Sequence, residues 1–280
     1  MSKRNITVDK NKDIIVDLYV NKKMSCKDIS KIYSVDQSVI SNRLHEWGIR
    51  VRTSSDRCNA IHSVDVHYFD SIDTESKAYF LGLIASDGHV SKNGIHIGFC
   101  NQDAAILNAL LQDMKSTHPI SNKSNGLSKV VVVASKMLAD RLFEIGLNSH
   151  KSYGYDFYKV LSHIPHNLKR HFVRGLFDGD GCFGVYSYPY LKKPSFYMGF
   201  THSFEGCSFV KAYLGFKPKE KEDGNGIYTC YSRNHSTIVY AGHMMYDEAS
   251  VFIQRKRELF LKICKLAELN FNNTQNLQRL

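Results

Sequence analysis

The stretch of sequence that decides the fold reads YFLGLIASDGHV over residues 79–90, and FVRGLFDGDGCFG over residues 172–184 repeats its pattern. In both stretches an apolar run that contains a glycine leads to an aspartate and a further glycine. Alignment of the two places Asp87 opposite Asp180, 93 residues later in the chain (180 − 87). A repeated segment usually means two copies of one structural unit, so the sequence predicts a protein with two related halves.

Each stretch has the features of a buried α-helix that ends at its last glycine. The run before Asp87 is almost entirely apolar, which is typical of a helix that is buried on most sides. Gly88 and Gly181 stand where helices commonly end on a left-handed residue. Small residues four positions apart share one face of a helix and let two backbones approach closely. We therefore expect the two helices to pack together through Gly82, Ser86, Gly175 and Gly179.

This packing brings Asp87 and Asp180 to the same end of the helix pair. A carboxylate at a helix C-terminus opposes the helix dipole at a cost of about 0.3–1 kcal/mol, and two neighbouring carboxylates repel each other. A divalent cation relieves both effects, since Mg²⁺ is commonly held by one or two carboxylates together with substrate phosphates. The alternative interpretation, two unrelated surface aspartates after helix ends, explains a single Asp-Gly better than a matched pair.

The two stretches resemble the LAGLIDADG signature of homing endonucleases. The matching segments are FLGLIASDG, residues 80–88, and VRGLFDGDG, residues 173–181. The second segment is the closer match because it keeps Asp178, whereas the first has Ala85 in place of the inner aspartate. Both segments keep the final aspartate, and a doubled motif of this kind is highly specific.

The resemblance, which covers roughly residues 70–260, implies an α+β fold. It implies two pseudo-symmetric αββαββα repeats, residues 77–160 and 161–280, whose antiparallel sheets form a saddle over DNA. It also implies that Asp87 and Asp180 are catalytic and bind Mg²⁺, or Mn²⁺, with one aspartate serving each strand of the duplex. The chemistry required is hydrolysis of a phosphodiester bond, which metal ions held by carboxylates can promote.

The family also has a lysine late in each repeat that lies close to the attacking water or to the phosphate. In this chain Lys151, in GLNSHKS, stands at that place in the first repeat, and Lys256, in YDEASVFIQRKRELF, stands there in the second. Both are therefore assigned as catalytic, with Arg255 as the alternative to Lys256. The competing interpretation is that each is a surface residue on a phosphate track or in solvent.

The N-terminal part of the chain, residues 1–57, predicts a small all-α helix-turn-helix domain. Three short helices are indicated within residues 13–50, the second opened by Ser25, the third opened by Asp36 or Ser38 and ended by Gly48. In helix-turn-helix proteins the second of the paired helices enters the major groove. The polar residues expected to contact DNA on that helix are Gln37, Ser38, Ser41, Asn42 and Arg43. A generic three-helix bundle with a solvated face is the alternative.

Residues 58–76 form a polar linker in this interpretation, preceded by Arg50 and Arg52 as further DNA contacts, although a solvated connection explains the composition equally well. Alternating patterns predict strands at residues 94–100, 129–134, 182–188, 195–201 and 226–232. Helices are predicted at residues 104–114, 137–145, 203–214, 236–245 and 257–269. Polar residues expected on the exposed face of the sheets are His96, Tyr186, Tyr188, Lys192, Lys193 and Arg233, of which the last three are assigned to DNA binding.

Composition restricts the class of partner. Lys and Arg total 37 against 27 Asp and Glu, a formal net charge of +10, which favours a polyanion. No apolar run reaches membrane-spanning length, and the polar N-terminus does not resemble a signal peptide. The seven cysteines are scattered and form no CxxC pair, which is typical of reduced intracellular proteins. An intracellular location is expected, in the cytoplasm or nucleoid, or in the host cell of a phage or mobile intron.

The sequence therefore predicts a monomeric, site-specific endonuclease that cuts double-stranded DNA at a long, partly asymmetric target. Two binding functions on the same scaffold remain as alternatives, an intron RNA maturase and a DNA-binding regulator. Retention of both Asp87 and Asp180 favours the nuclease over a pure binder. A nuclease embedded in an intein fits poorly, because the chain begins with Met and ends NLQRL.

Overall fold

The structure, a computed structural model, describes residues 3–52, 61–123, 126–149, 155–187, 194–214, 219–222 and 226–277. The chain divides into two compact units, Met1–Ser63 and Val64–Leu280. Among the described residues, none of the helices is both long and apolar enough to cross a membrane.

The described part of the first unit includes the helices α1 (Lys3–Lys10), α2 (Lys12–Val20), α3 (Cys26–Ile32) and α4 (Gln37–Glu46). The two predicted caps are present, since the Ser25 hydroxyl accepts the Asp28 N–H and the Asp36 carboxylate accepts the Ser38 N–H. Helix α1 was not predicted from the sequence. The helices enclose a separate small core, formed by Val8, Ile15, Tyr19, Cys26, Ile29, Ile40 and Leu44.

The second unit contains the repeated stretches and has α+β architecture. Its first half runs α5 (Glu75–Ser86), β1 (His89–Ser91), β2 (Gly94–Cys100), α6 (Ala105–Asp113), β3 (Ile120–Asn122), β4 (Ser128–Val133) and α7 (Lys136–Ile145). After α8 (Phe157–Ser162) and a 3-10 turn (His166–Leu168), the second half runs α9 (Lys169–Asp180), β5 (Gly181–Tyr186), β6 (Ser195–Ser203), α10 (Phe204–Tyr213), β7 (Lys219–Glu222), β8 (Ile227–Ser232) and α11 (His235–Tyr246). Helix α12 (Gln254–Leu277) follows.

Both halves build a four-stranded antiparallel sheet with the same order of strands. The orders are β1-β2-β4-β3 and β5-β6-β8-β7. In the first sheet His89 pairs with His96, which pairs with Val132 across the next strand. In the second sheet Cys182 pairs with Gly199, which pairs with Tyr231. These two rows occupy equivalent positions, so the register provides a residue-by-residue correspondence between the sheets.

The two motif helices, α5 and α9, pack against each other at the centre of the second unit, and only residues without a side chain fit at the crossing. A Cβ on Gly82 would stand 2.2 Å from the carbonyl oxygen of Phe172, and a Cβ on Gly175 would stand 2.0 Å from that of Tyr79. These contacts are reciprocal, since each glycine meets the residue three positions before the other. Any larger residue at either glycine would push the helices apart.

The glycines that follow the two aspartates have a different role from the predicted one. Gly181 has an extended backbone (φ −94°, ψ 162°), and the φ angle of Gly88 also lies outside the left-handed region. Their small size is what the fold requires, because a Cβ on Gly88 would stand 2.8 Å from the Ile84 carbonyl oxygen and one on Gly181 2.3 Å from the Phe177 ring. The prediction of left-handed helix ends was therefore wrong at both positions.

The predicted linker is also shorter than the sequence suggested. Tyr68, Phe69 and Ile72 lie within the apolar core of the second unit, although they fall inside the predicted linker of residues 58–76. The Asp65 N–H donates to the Met114 carbonyl, which fixes the start of this segment against the end of α6. The unit boundary after Ser63 places residues 64–74 in the folded second unit.

Candidate active site at the end of the motif helices

Asp87 and Asp180 lie at the adjoining C-terminal ends of α5 and α9. Asp87 caps α5, and its N–H donates to the carbonyls of the last turn, while Asp180 is the final residue of α9. The two ends are in close contact, because a Cβ on Gly179 would stand 1.9 Å from the Ser86 hydroxyl and 3.0 Å from the Asp87 Oδ2 atom. The carboxylate of one repeat therefore lies beside the residue that precedes the aspartate of the other.

The oxygen atoms available at this place suit a hard divalent cation as ligands. Asp87 is exposed and Asp180 half-buried, so both carboxylates can reach solvent and a bound substrate. Within the described residues there is no group of three or more His, Cys, Asp or Glu side chains that could hold a metal ion without further ligands. Two carboxylates beside helix-end carbonyls suit Mg²⁺, which in proteins commonly completes its shell with water and substrate phosphate.

Lys256, assigned from the sequence as a catalytic cation, lies at this site but is fully engaged by the protein. Its Nζ donates to the carbonyl oxygens of Phe177 (2.9 Å), Asp178 (2.5 Å), Gly179 (3.2 Å) and Gly181 (2.6 Å). Burial lowers the pKa of Lys256, against the charges of nearby aspartates. An ammonium group has three protons, and four carbonyls surround this one, so Lys256 stabilises the end of α9. A contact of Lys256 with water or phosphate stays a prediction.

The other predicted cations have separate positions. Arg255, the alternative to Lys256, donates from Nε (3.2 Å) and Nη2 (2.8 Å) to the carboxylate of buried Asp103 just before α6. This pair joins the start of α12 to the first repeat. Lys151 lies outside the described residues, so its role stays a prediction.

The inner aspartate of the second motif, Asp178, is a structural residue. It is buried and accepts hydrogen bonds from the hydroxyls of Tyr79 (2.8 Å) and Tyr246 (2.5 Å) and from the Ile253 N–H (2.8 Å). Burial raises the pKa of Asp178 against the opposing effect of these donors. Tyr79 belongs to α5, so this one carboxylate connects both motif helices to the segment that follows α11.

One turn earlier in α9, buried Arg174 makes a second connection to the same segment. Its guanidinium donates to the carbonyls of Met245 (2.9 Å) and Val251 (2.9 Å), to His171 Nδ1 (2.7 Å) and to the Glu75 carboxylate (2.6 Å). Burial, then the charge of Arg174, lowers the pKa of His171 to about 4, against the attraction of Glu75. Sequence reasoning did not identify either network.

Asp180 also faces a histidine at the edge of a small cavity of about 220 Å³. The Nε2 atom of His202, on β6, lies 3.8 Å from Asp180 Oδ2, and the histidine side chain is 6% exposed. The cavity is lined by both of these residues and by Ala85, Ser86, Thr201, Ser203 and Ile227. His202 was not singled out from the sequence, where nothing distinguishes it from the other twelve histidines.

The exposed faces of the two sheets carry different side chains. The first sheet presents His89 and His96, whose rings are in edge contact, next to Val130 and Val132. The second presents the aromatic residues Tyr186, Tyr197 and Tyr231, the last two stacked with centroids 5.8 Å apart. Arg233 is exposed just after β8. Tyr188, Lys192 and Lys193, predicted on this face, lie outside the described residues.

In the first unit, the predicted polar residues lie on α4 with different degrees of exposure. Gln37, Ser38 and Asn42 are exposed, and Ser41 is half-buried. Arg43 is half-buried and forms ion pairs with Asp9 (2.8 Å from Nε) and with Glu46.

The two arginines that follow α4 also differ in their exposure to solvent. Arg50 is exposed. The guanidinium of Arg52 donates to backbone carbonyls of the same unit, those of Tyr19 and Lys23 among them, and lies over the Tyr19 ring. These bonds explain Arg52 as a structural residue, and a contact from Arg43 or Arg52 to DNA stays a prediction.

Comparison with known proteins supports the fold. Neither a family model nor a curated protein matches the sequence. Among solved structures the chain is similar to the LAGLIDADG homing endonuclease I-SmaMI bound to cleaved DNA, with TM-score 0.52 and 14% identity over 73% of this chain and 92% of that one. It is also similar to the LAGLIDADG meganuclease I-AabMI bound to uncleaved DNA (TM-score 0.51, 14% identity, 70% and 91% coverage). A third is I-SmaMI bound to an uncleaved DNA target in the presence of calcium ions (TM-score 0.50, 14% identity, 70% and 92%).

At this identity the likeness establishes the fold. The resemblance drawn from the two motifs is confirmed at that level, as is the α+β class with antiparallel sheets.

Proposed function

We propose that this protein is a site-specific endonuclease that hydrolyses phosphodiester bonds of double-stranded DNA with divalent metal ions. The observation that carries the proposal is the position of Asp87 and Asp180, one from each repeat, at adjoining ends of two tightly packed helices. The fold is shared with homing endonucleases that were solved on DNA. A net charge of +10 favours a polyanionic substrate.

The chain's own residues prepare the site in three ways. Gly82 and Gly175 allow the helices to approach closely enough to bring both carboxylates to one place. Lys256 donates hydrogen bonds to the carbonyl groups around the end of α9 and so fixes the position of the last turn, which carries Asp180. The two carboxylates would hold Mg²⁺ or Mn²⁺, which when bound supplies charge neutralisation at the phosphate and activation of a water.

The two repeats supply one aspartate and one sheet each, which supports a monomer with two pseudo-symmetric halves forming a saddle over DNA. In this arrangement each exposed sheet face reads one half of the target. The first face offers Val130 and Val132, which suit thymine methyl groups, and the second offers Tyr197 and Tyr231, which donate or accept hydrogen bonds. Because the faces differ chemically, the preferred target has two different halves.

The first unit supplies a second DNA contact in this proposal. Helices α3 and α4 are joined by a short turn, and Gln37, Ser38 and Asn42 lie exposed on α4, as in a helix-turn-helix. A variant with these three residues changed to alanine should keep the catalytic fold but bind its target more weakly. Unchanged affinity and unchanged specificity would exclude this role.

The deciding experiment is cleavage of a randomised double-stranded DNA library with Mg²⁺ and, separately, with Ca²⁺. We expect Mg²⁺-dependent cutting at one long site by the wild-type protein. Asp87→Asn and Asp180→Asn should each reduce double-strand cleavage below detection while DNA binding in Ca²⁺ persists, because the exchange removes a metal ligand but preserves shape. Asp140→Asn, which changes a half-buried aspartate of α7 that is ion-paired with Lys136, is the matched control.

Two other results would overturn the proposal. Equal loss of binding and cleavage in the aspartate variants would show that the carboxylates are structural. Sequence-specific binding without cutting by the wild-type protein would favour the maturase or the regulator, and intron RNA would then be the next substrate.

A further inference from the structure

The two halves of the site differ in one residue that faces an aspartate directly. His202 lies at the end of β6 with its Nε2 atom 3.8 Å from Asp180 Oδ2. Its Nδ1 atom accepts the Ser203 N–H at 2.8 Å. An imidazole nitrogen that accepts a backbone N–H carries no proton, so in the neutral ring the proton is on Nε2, the nitrogen that faces Asp180.

Sheet register identifies the residue of the first sheet that occupies the position equivalent to His202. Phe200 pairs with Gly181, directly after Asp180, and His202 is two residues further along β6. In the first sheet Ile97 occupies the position of Phe200, because His96 pairs with His89 as Gly199 pairs with Cys182. The residue equivalent to His202 is therefore Phe99, which is buried and has no polar atom in its side chain.

The surroundings of His202 fix the ring. It stacks on Phe200, with centroids 5.5 Å apart and planes within 9°, and meets Tyr155 and Phe157 edge-on at 5.6 and 6.0 Å. The Tyr155 hydroxyl is buried and has no hydrogen-bond partner among the described residues.

We propose that His202 is a positioning residue for Asp180, which orients this carboxylate through Nε2–H and makes the Asp180 half of the site chemically different from the Asp87 half. The gap of 3.8 Å is closed by a small rotation of the Asp180 carboxylate, since the His202 ring is held by its aromatic neighbours. Hydrogen-bond partners of metal-binding carboxylates fix the ligand's orientation. The inference rests on the proposed nuclease function. It predicts that cleavage of the DNA strand served by Asp180 depends on His202, whereas cleavage of the strand served by Asp87 does not.

The pairing itself can be tested in the metal-free protein, without any cleavage assay. Long-range ¹H–¹⁵N correlation spectra of protein with ¹⁵N-labelled histidine side chains report which ring nitrogen carries the proton. The His202 signals are assigned by their absence in His202→Phe. We expect the Nε2–H form, with a Nε2 resonance that shifts in Asp180→Asn. A Nδ1–H ring, or no response to Asp180→Asn, would overturn the pairing.

The consequence is tested on the selected target with a different fluorophore on each strand. His202→Phe copies the first repeat, and we expect it to slow cleavage of one strand by about 10–100-fold and leave the other strand unchanged, so that nicked DNA accumulates. His202→Gln can still donate through its amide and should recover most of the lost rate. Phe99→Leu, at the equivalent position, should leave the ratio of the two strand rates unaltered.

If His202→Phe slowed both strands equally, so that the ratio of the two rates stayed unchanged, the proposal would be wrong and His202 would act only through stability. Thermal unfolding of each variant measures that loss of stability directly. If the wild-type protein cuts no DNA, the proposed nuclease function fails. The tautomer measurement still decides whether His202 and Asp180 interact.

Discussion

The two motif helices are equivalent in position but opposite in character at three buried sites. With the offset of 93 residues that aligns Asp87 with Asp180, the first helix has Ala78, Leu81 and Ala85 where the second has His171, Arg174 and Asp178. All six residues are buried. One helix therefore buries only apolar groups at these sites, while the other buries a cation, a carboxylate and an imidazole within the same core.

The difference follows from what covers the second helix. The segment between α11 and α12, residues 247–253, is irregular, and several of its backbone groups are paired by side chains instead of by helix or sheet hydrogen bonds. Buried N–H and C=O groups must nevertheless be paired. Arg174 donates to the Val251 carbonyl, Asp178 accepts the Ile253 N–H, and Glu75 accepts the Ser250 N–H at 2.8 Å. Two side chains of α9 and one of α5 thus replace secondary-structure hydrogen bonds for this closing segment.

The largest effect is expected from Arg174→Leu, which copies Leu81 of the first helix. Removal of the guanidinium takes the charged partner from the Glu75 carboxylate and the donor from two buried carbonyls, which should cost about 3–5 kcal/mol in the free energy of unfolding. Urea denaturation followed by circular dichroism measures it. Leu81→Met, a volume-conserving exchange at the matched site, should cost less than about 1.5 kcal/mol. Similar costs for both variants would mean that the network is replaceable by apolar packing.

The main elements of the fold could be predicted because their signals are local. The alternation in residues 94–100 predicted β2 with its observed bounds, and the side chains of Ser25 and Asp36 marked the starts of α3 and α4. The three-residue strands β1 and β3 are too short to show alternation. The burial of Tyr68, Phe69 and Ile72 depends on contacts with distant parts of the chain, so a polar stretch around them suggested a linker.

An intermediate effect is expected from Asp178→Ala, which copies Ala85. The exchange leaves two tyrosine hydroxyls and the Ile253 N–H buried without an acceptor, and should reduce the free energy of unfolding by about 3 kcal/mol. Asp178→Asn keeps an oxygen acceptor and should lose less. Ala85→Gly, the control in the first helix, should cost about 1 kcal/mol. If Asp178→Ala were as stable as the wild type, the three hydrogen bonds would contribute nothing net.

The residues of the candidate site could be predicted only where the sequence repeat marks them. Asp87 and Asp180 follow from the alignment of two stretches. The catalytic role assigned to Lys256 stays a prediction, and the run QRKR does not show that its lysine donates to four carbonyls around the end of α9. His202 lies 22 residues after Asp180 and reaches it only through the pairing of β5 with β6, so no local pattern indicates it.

The smallest effect is expected from a change of pH. It depends on the imidazole of His171 in the second helix, whose counterpart in the first helix is Ala78. The pKa of His171 is about 4 in the folded protein and 6.5 ordinarily, so between these values the unfolded chain binds a proton that the folded chain does not. Stability must therefore fall as the pH is lowered through this window, and this residue should remove about 2 kcal/mol between pH 7 and pH 5.

His171→Ala should begin from a lower stability, since Arg174 loses a partner, but should depend less steeply on pH over the same range. Urea denaturation at half-unit pH steps gives both curves, and His166→Ala, which removes an exposed histidine just before α9, is the control for the exchange. Parallel curves for wild type and His171→Ala would mean that water reaches the imidazole, and that the second helix is less enclosed than its polar network requires.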